Sequence, residues 1–120
     1  MSNHRIMFLR DRTGSPVGCL AIKTEEHLYR TAIVSYQLSV LNPADRFDRE
    51  MARTIALGRL IERPIQIQMH SEASMHEITS VIMNDIRNDS TLPSRARRAA
   101  NLWMRTSVVK SKSVNDSEEY

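Results

Sequence analysis

The chain has 120 residues, of which 41% are hydrophobic and 26% charged, and its formal net charge is +3. A chain of this length is expected to form one domain that buries a core without structural metals or disulfides. A single cysteine excludes an internal disulfide, no apolar run approaches the ~20 residues that cross a bilayer, and residues 1–5 show no secretory leader. We therefore expect a cytoplasmic protein with no membrane partner and a modest excess of basic residues.

Two short apolar segments near the N-terminus predict a β-hairpin. Residues 5–10 are apolar between charged ends and indicate a first strand, and residues 17–23 indicate the return strand. The intervening segment contains Gly14 and Pro16, which favour a turn. Residues 24–27 are polar and are interpreted as a connection.

Residues 30–41 form the clearest strand pattern in the sequence. Apolar residues alternate here with mostly polar ones, the apolar set being Ala32, Val34, Tyr36, Leu38 and Val40. This pattern is typical of an antiparallel sheet that is covered on one face only. Residues 64–69 alternate in the same way and predict a further strand, which Pro64 opens or places at an edge.

A helix is predicted between these two strands, over residues 42–63. Asn42 and Asp45 are both competent N-caps, and Pro43 suits the first helical position. Pro64 ends the helix at or before the preceding residue. We expect the helix to pack its apolar stripe onto the Val34/Tyr36/Leu38 face of the sheet, the stripe being Phe47, Met51 and Ile55.

Two more helices are predicted in the C-terminal half. Ser74 followed by Glu77 forms a capping box for a helix whose expected buried stripe is Ile78, Val81, Ile82 and Ile86. A third helix begins near Pro93 or Ser94, with an apolar side made of Ala96, Ala99, Ala100 and Trp103. Beyond Ser107 the sequence is rich in Ser, Lys, Asp and Glu, which predicts a flexible tail over residues 108–120.

The predicted order of elements is therefore β-β-β-α-β-α-α. This order favours a single α+β domain over residues 1–107, with three or four antiparallel strands and the helices on one face of the sheet.

The run from Ser39 to Leu60 resembles a pattern found in small bacteriophage accessory proteins. The pattern is a strand, then Asn-Pro-x-Asp-x-Phe-x-Arg (here residues 42–49), then a helix with Ala-Arg-x-Ile-Ala-x-Gly-Arg-Leu (here residues 52–60), then another strand. The resemblance implies a phage-encoded protein that acts in the cytoplasm of the host bacterium. It brings no catalytic residues.

No residue pattern in the sequence indicates a catalytic, metal or cofactor site. His70 and His76 are six residues apart, which is not a same-face helical spacing, and no further ligands complete a metal motif. Cys19 lies inside a predicted strand, where a free cysteine behaves as a small hydrophobic residue. We therefore expect a protein that is not an enzyme, with no catalytic residues, no metal and no cofactor.

The arginines are the candidate binding residues. They form two rows at helical spacing, one on the central helix and one on the third helix, namely Arg46, Arg49 and Arg53, and Arg95, Arg98 and Arg105. Arginine is favoured both at protein-interface hot spots and at phosphate contacts. The first hypothesis is a protein that binds and modulates a host protein of metabolism or defence. The alternative is a small nucleic-acid-binding protein, for which only Tyr29 and Tyr120 are candidate stacking residues. A homodimer is left open.

Overall fold

A computed structural model of the chain describes the backbone of residues 2–42 and 46–118 and the side chains of residues 4–42 and 46–106. Its elements, in chain order, are β1 (Ser2–Arg10), β2 (Pro16–His27), β3 (Thr31–Val40), α1 (Arg49–Glu62), β4 (Ile65–His70), α2 (Met75–Asn88) and α3 (Ser94–Glu118). The α+β class and the order β-β-β-α-β-α-α are confirmed.

The four strands form one antiparallel sheet in the order β1-β2-β3-β4, so β1 and β4 are its two edges. Each strand pairs with its neighbours in sequence, as shown by the opposed pairs Leu20 with Leu38 and Val34 with Ile67. The polar segment 24–27, interpreted from sequence as a connection, continues β2, because pairing with β3 extends to its last residue. The hairpin between β2 and β3 is therefore longer than predicted.

One face of the sheet is covered by α2 and α3 and carries the larger core. Large aliphatic side chains from the middle strands, such as Leu20 and Val34, pack here against Ile82 and Ile86 of α2. α3 adds small residues to the same cluster, namely Ala96, Ala99 and Ala100. The alternating apolar residues of β3 point into this core, as its sequence pattern predicts.

The opposite face is covered by α1, so the prediction that the helices share one face is wrong. Cys19 and Ala21 of β2 form a second buried cluster with Ala56 and Leu60 of α1. Small residues on both elements allow the helix to approach the sheet closely, which an apolar alternation pattern does not reveal. The result is three layers, with the sheet between α1 and the α2/α3 pair.

Two of the three residues in the predicted apolar stripe of the central helix do not reach the core, and the third, Phe47, precedes the helix and packs edge-to-face on Phe8 with 5.8 Å between ring centres. Met51 is 61% exposed and Ile55 is 40% exposed, and neither faces Val34, Tyr36 or Leu38, which lie on the other side of the sheet. The helix also begins later than predicted, at Arg49, because Asp48 is its N-cap and accepts a hydrogen bond from the Met51 N–H at 3.1 Å. The earlier candidate Asp45 lies outside the described residues.

Two helix starts are confirmed. The Ser74 hydroxyl accepts a hydrogen bond from the Glu77 N–H at 3.1 Å, which is the N-cap half of the predicted capping box, and donates one to the Glu77 carboxylate at 3.3 Å. α3 begins at Ser94. The predicted buried stripe of α2 is wrong at one residue. Val81 is exposed, whereas Ile78, Ile82 and Ile86 are buried.

The backbone of α3 continues to Glu118. The side chains of the predicted tail, residues 108–120, lie outside the described residues, so its contribution to folding stays a prediction. Among the helices described, none combines the length and the apolarity that crossing a membrane requires.

Candidate functional site: an arginine groove

The turn between β1 and β2 is built around one carboxylate. Asp11 Oδ1 accepts hydrogen bonds from the backbone N–H groups of Thr13 at 2.9 Å and Ser15 at 3.0 Å, and from the Thr13 hydroxyl at 2.6 Å. Gly14 takes a φ of +85°, a conformation that glycine adopts without strain. These contacts fix the backbone on both sides of Arg12, whose side chain is exposed.

A groove of ≈ 520 Å³ separates this turn from the first half of α3. It contains four arginines, namely Arg12 from the turn and Arg95, Arg98 and Arg105 from α3. Apolar side chains also line it, namely Val17, Ala99 and Leu102. We call this surface the arginine groove. The predicted arginine row of the third helix therefore lies in one site, together with an arginine that the sequence did not single out.

The charge of the groove is largely uncompensated. Among the described residues that line the groove, Asp11 is the one carboxylate. Hydrogen bonding by Thr13 holds the pKa of Asp11 below its ordinary value, with a smaller contribution from the positive charge of Arg95. Within the described part of the chain, the sole ion pair joins Lys23 and Glu25, far from this groove in the sheet. Four guanidinium groups therefore face one carboxylate.

Two of these arginines are partly held by the fold. Arg95 donates to the Leu41 carbonyl at 3.3 Å, and Arg98 donates to the Ser94 hydroxyl at 3.1 Å. A guanidinium has five N–H donors, so each of these side chains keeps donors for a ligand. Such partial anchoring orients an arginine and reduces the side-chain entropy that binding removes.

An apolar pocket of ≈ 240 Å³ adjoins the groove and shares Asp11, Ala99 and Leu102 with it. Its other lining residues include Phe8, Met83 and Trp103. Between α2 and α3, a basic pocket of ≈ 380 Å³ shares Arg98 and Asn101 with the groove and adds Arg87 and Arg97, and none of its described lining residues is a carboxylate. The groove therefore has a basic pocket on one side and an apolar pocket on another.

The arginines of the central helix lie elsewhere. Arg46 precedes the helix, so only Arg49 and Arg53 belong to a helical row. The Arg49 guanidinium carbon lies 5.0 Å from the centre of the Phe8 ring, a cation–π contact. Because α1 and α3 cover opposite faces of the sheet, the structure does not bring the two predicted rows together.

The cysteine and the two histidines that the sequence analysis considered for catalysis or metal binding make structural contacts. Cys19 is fully buried, and this burial raises the pKa of its thiol, although Arg53 opposes the shift. His70 Nδ1 accepts a hydrogen bond from the Glu72 N–H at 3.1 Å, and the His76 ring lies against Trp103 with 5.5 Å between centres. Among the described residues, no three His, Cys, Asp or Glu side chains gather in a way that would hold a metal ion.

Tyr29, one of the two aromatic candidates for base stacking, is not part of the groove. Tyr29 is 93% exposed at the tip of the β2–β3 hairpin, where it and Arg30 both have positive φ values of about 60°. Tyr120 lies outside the described residues. Comparison with protein-family models, with curated proteins and with solved structures found no match to this chain.

Proposed function

We propose that this protein is a non-enzymatic binding protein that recognises an acidic surface of a partner protein through the arginine groove. The observation that carries the proposal is the set of four arginines around an apolar floor with one carboxylate among them. Interfaces between proteins commonly place an apolar centre within a polar rim, and arginine is frequent among the residues that contribute most to binding.

The adjoining apolar pocket favours a protein partner over a nucleic acid. Trp103, Met83 and Phe8 line it beside the groove, and aromatic side chains and methionine are enriched in protein interfaces. Single-stranded nucleic acids are commonly bound by aromatic rings along a basic groove, and none of the described residues that line this groove is aromatic. An acidic segment with one or two apolar side chains fits both the groove and the pocket.

Nucleic-acid binding is the second candidate, and the basic pocket beside the groove supports it. The pocket adds Arg87 and Arg97 to the arginines of the groove, and none of its described lining residues is acidic. Clustered arginines on neighbouring helices are the kind of surface that contacts phosphates.

The proposal that the protein is not an enzyme is supported by the state of its cysteine. The buried Cys19, with its raised pKa, is a poor nucleophile, since the thiolate is the reactive form. The resemblance to phage accessory proteins adds the proposal that the partner is a host protein of metabolism or defence, bound in the bacterial cytoplasm.

The test is capture of partners from a bacterial lysate, with and without nuclease, by three proteins. The first is the wild type and the second replaces Arg12, Arg98 and Arg105 with Gln. The third is a matched control that replaces Arg46, Arg49 and Arg53 with Gln, which removes the same charge from the other face of the sheet. All six side chains are exposed, so both variants should fold, since surface changes usually alter stability by about 0.5 kcal/mol or less each.

We expect the groove variant to lose a protein that the wild type and the control both retain after nuclease treatment. If captured material disappears with nuclease, affinity for duplex DNA should be measured against salt concentration. Binding by the groove would then lower the slope of log K against log salt by about 2–3 in the groove variant, at ~0.9 per phosphate contact. Equal behaviour of the two variants in both assays would overturn the assignment of the groove.

A further inference from the structure

The outer edge of β4 is open. β4 is the last strand of the sheet, and each of its six residues is exposed or half-buried. No strand in the described part of the chain pairs with the backbone N–H and C=O groups on its outer side. Such an edge is a template for pairing with another chain, and proteins usually protect it with charged residues.

β4 lacks this protection, in contrast to the opposite edge. Its sequence from Ile65 to His70 contains no Lys, Arg, Asp or Glu, whereas β1 carries Arg5 and Arg10. Two exposed apolar side chains lie at the start of β4 or just before it in the chain. They are Ile61 at the end of α1 (82% exposed) and Ile65 in the first position of the strand (39%). An edge strand without charges and with exposed apolar side chains beside it is suited to pairing with a strand of another chain.

The strand is complementary to itself in one antiparallel register. If a two-fold axis passes through Ile67, this residue faces its own copy, Ile65 faces Met69, and Gln66 faces Gln68. Apolar residues then pair with apolar residues on the α2/α3 face, and amides pair with amides on the α1 face. A shift by one residue would place apolar side chains opposite glutamines, which disfavours that alternative.

We propose that a second copy of this chain pairs with the first through β4, antiparallel and centred on Ile67. The two four-stranded sheets would then continue across the two-fold axis as one sheet. The interface is isologous, as in most closed dimers. The arginine groove lies at the β1–β2 turn, towards the other edge, so this inference is independent of the proposed function and leaves both grooves accessible.

The test uses sedimentation of the full chain over a concentration series from micromolar to near-millimolar. The wild type should form a dimer. Replacing Gln66 and Gln68 together with Lys places like charges opposite each other twice in the proposed register. This change should raise the dimer dissociation constant by about tenfold or more, since opposed like charges destabilise a strand pair.

The matched variant carries Gln66→Glu with Gln68→Lys. Each Glu then faces a Lys of the second copy, so this variant should dimerise at least as well as the wild type. Both glutamines are exposed, and thermal denaturation will verify that both variants are folded. Met51→Lys, an exposed change at the far end of α1, should leave the dimer intact and controls for general loss of apolar surface.

Three outcomes would overturn the proposal. They are a wild type that stays monomeric throughout the series, a dimer that the two lysines leave unchanged, and a Glu/Lys variant that dissociates as readily as the Lys/Lys variant. The last outcome would mean that positions 66 and 68 do not face each other.

Discussion

The two faces of the sheet are covered in different ways. On the α2/α3 face, large side chains interlock, with Leu20, Ile22, Ile82 and Met83 all essentially inaccessible to water. On the α1 face, the buried cluster consists of a cysteine, two alanines and one leucine. The first face gains stability from the amount of apolar surface it removes from water, and the second has much less to remove.

On the α1 face, side-chain hydrogen bonds to backbone carbonyls hold the helix where few large apolar side chains are buried. The Ser39 hydroxyl donates to the Ala52 carbonyl at 2.8 Å, and the Arg59 guanidinium donates to the Leu38 carbonyl at 2.9 Å. Gln37 donates to the Arg63 carbonyl at 2.8 Å. The polar side of β3 is thus an internal surface that holds a helix, and not a solvent face. A strand with one polar side does not always belong to a two-layer fold.

The largest expected effect of a single substitution separates the two faces directly. Ile82→Ala should lower the free energy of unfolding by about 2–5 kcal/mol, because it leaves a cavity in a well-packed core. Ile55→Ala on α1 should cost less than about 1 kcal/mol, because Ile55 is already 40% exposed. Urea denaturation of the two variants measures both values. Equal losses would mean that the Ile55 side of α1 is packed against the sheet after all.

The predictable parts of the fold are those set by local chemistry. The N-cap at Ser74, the alternation in β3 and the stop before Pro64 each depend on a few neighbouring residues, and each is found in the structure. The face that α1 covers was not predictable in this way. It depends on the close approach of Ala56 in α1 to Cys19 and Ala21 in β2, which are far apart in the sequence, and small residues give no periodic signal.

The candidate site was predictable only in part. The spacing of Arg95, Arg98 and Arg105 placed them on one side of a helix, and the structure agrees. Arg12 could not be identified because its place in the groove depends on where the first turn lies against α3, which no local pattern encodes. The row that begins at Arg46 fails for a different reason, since the helix starts three residues later than that side chain.

The second prediction concerns an ionisable group on the large-core face. Burial raises the pKa of Tyr36 from 10 to about 12, with smaller contributions from Asp85 and Asp89. Because the unfolded chain ionises first, the stability linked to this group is complete below pH 10 and is lost as the pH rises towards 12. The loss should reach roughly 2–3 kcal/mol, at about 1.36 kcal/mol for each unit of pKa difference. Urea denaturation at several alkaline pH values measures it.

Tyr36→Phe is the control for this dependence. The variant removes the phenol while keeping the ring in the core, so its stability should change less with pH over the same range. If the wild type and the variant lose stability in parallel above pH 10, other groups are responsible and the ring is not specifically coupled to folding.

The smallest predicted effect tests the hydrogen bonds that hold α1. Ser39→Ala removes the bond from β3 to the Ala52 carbonyl and should lower the free energy of unfolding by about 0.5–1.5 kcal/mol, the usual range for one internal hydrogen bond.

Ser80→Ala is the matched control, because the Ser80 hydroxyl also donates to a helix carbonyl, that of His76 at 2.9 Å, but within its own helix. That bond joins no two layers, and alanine is the better helix former, so Ser80→Ala should be neutral or stabilising by a few tenths of a kcal/mol. Urea denaturation of both variants in parallel distinguishes the cases, and equal losses would show that the bond from Ser39 contributes nothing specific to holding α1 on the sheet.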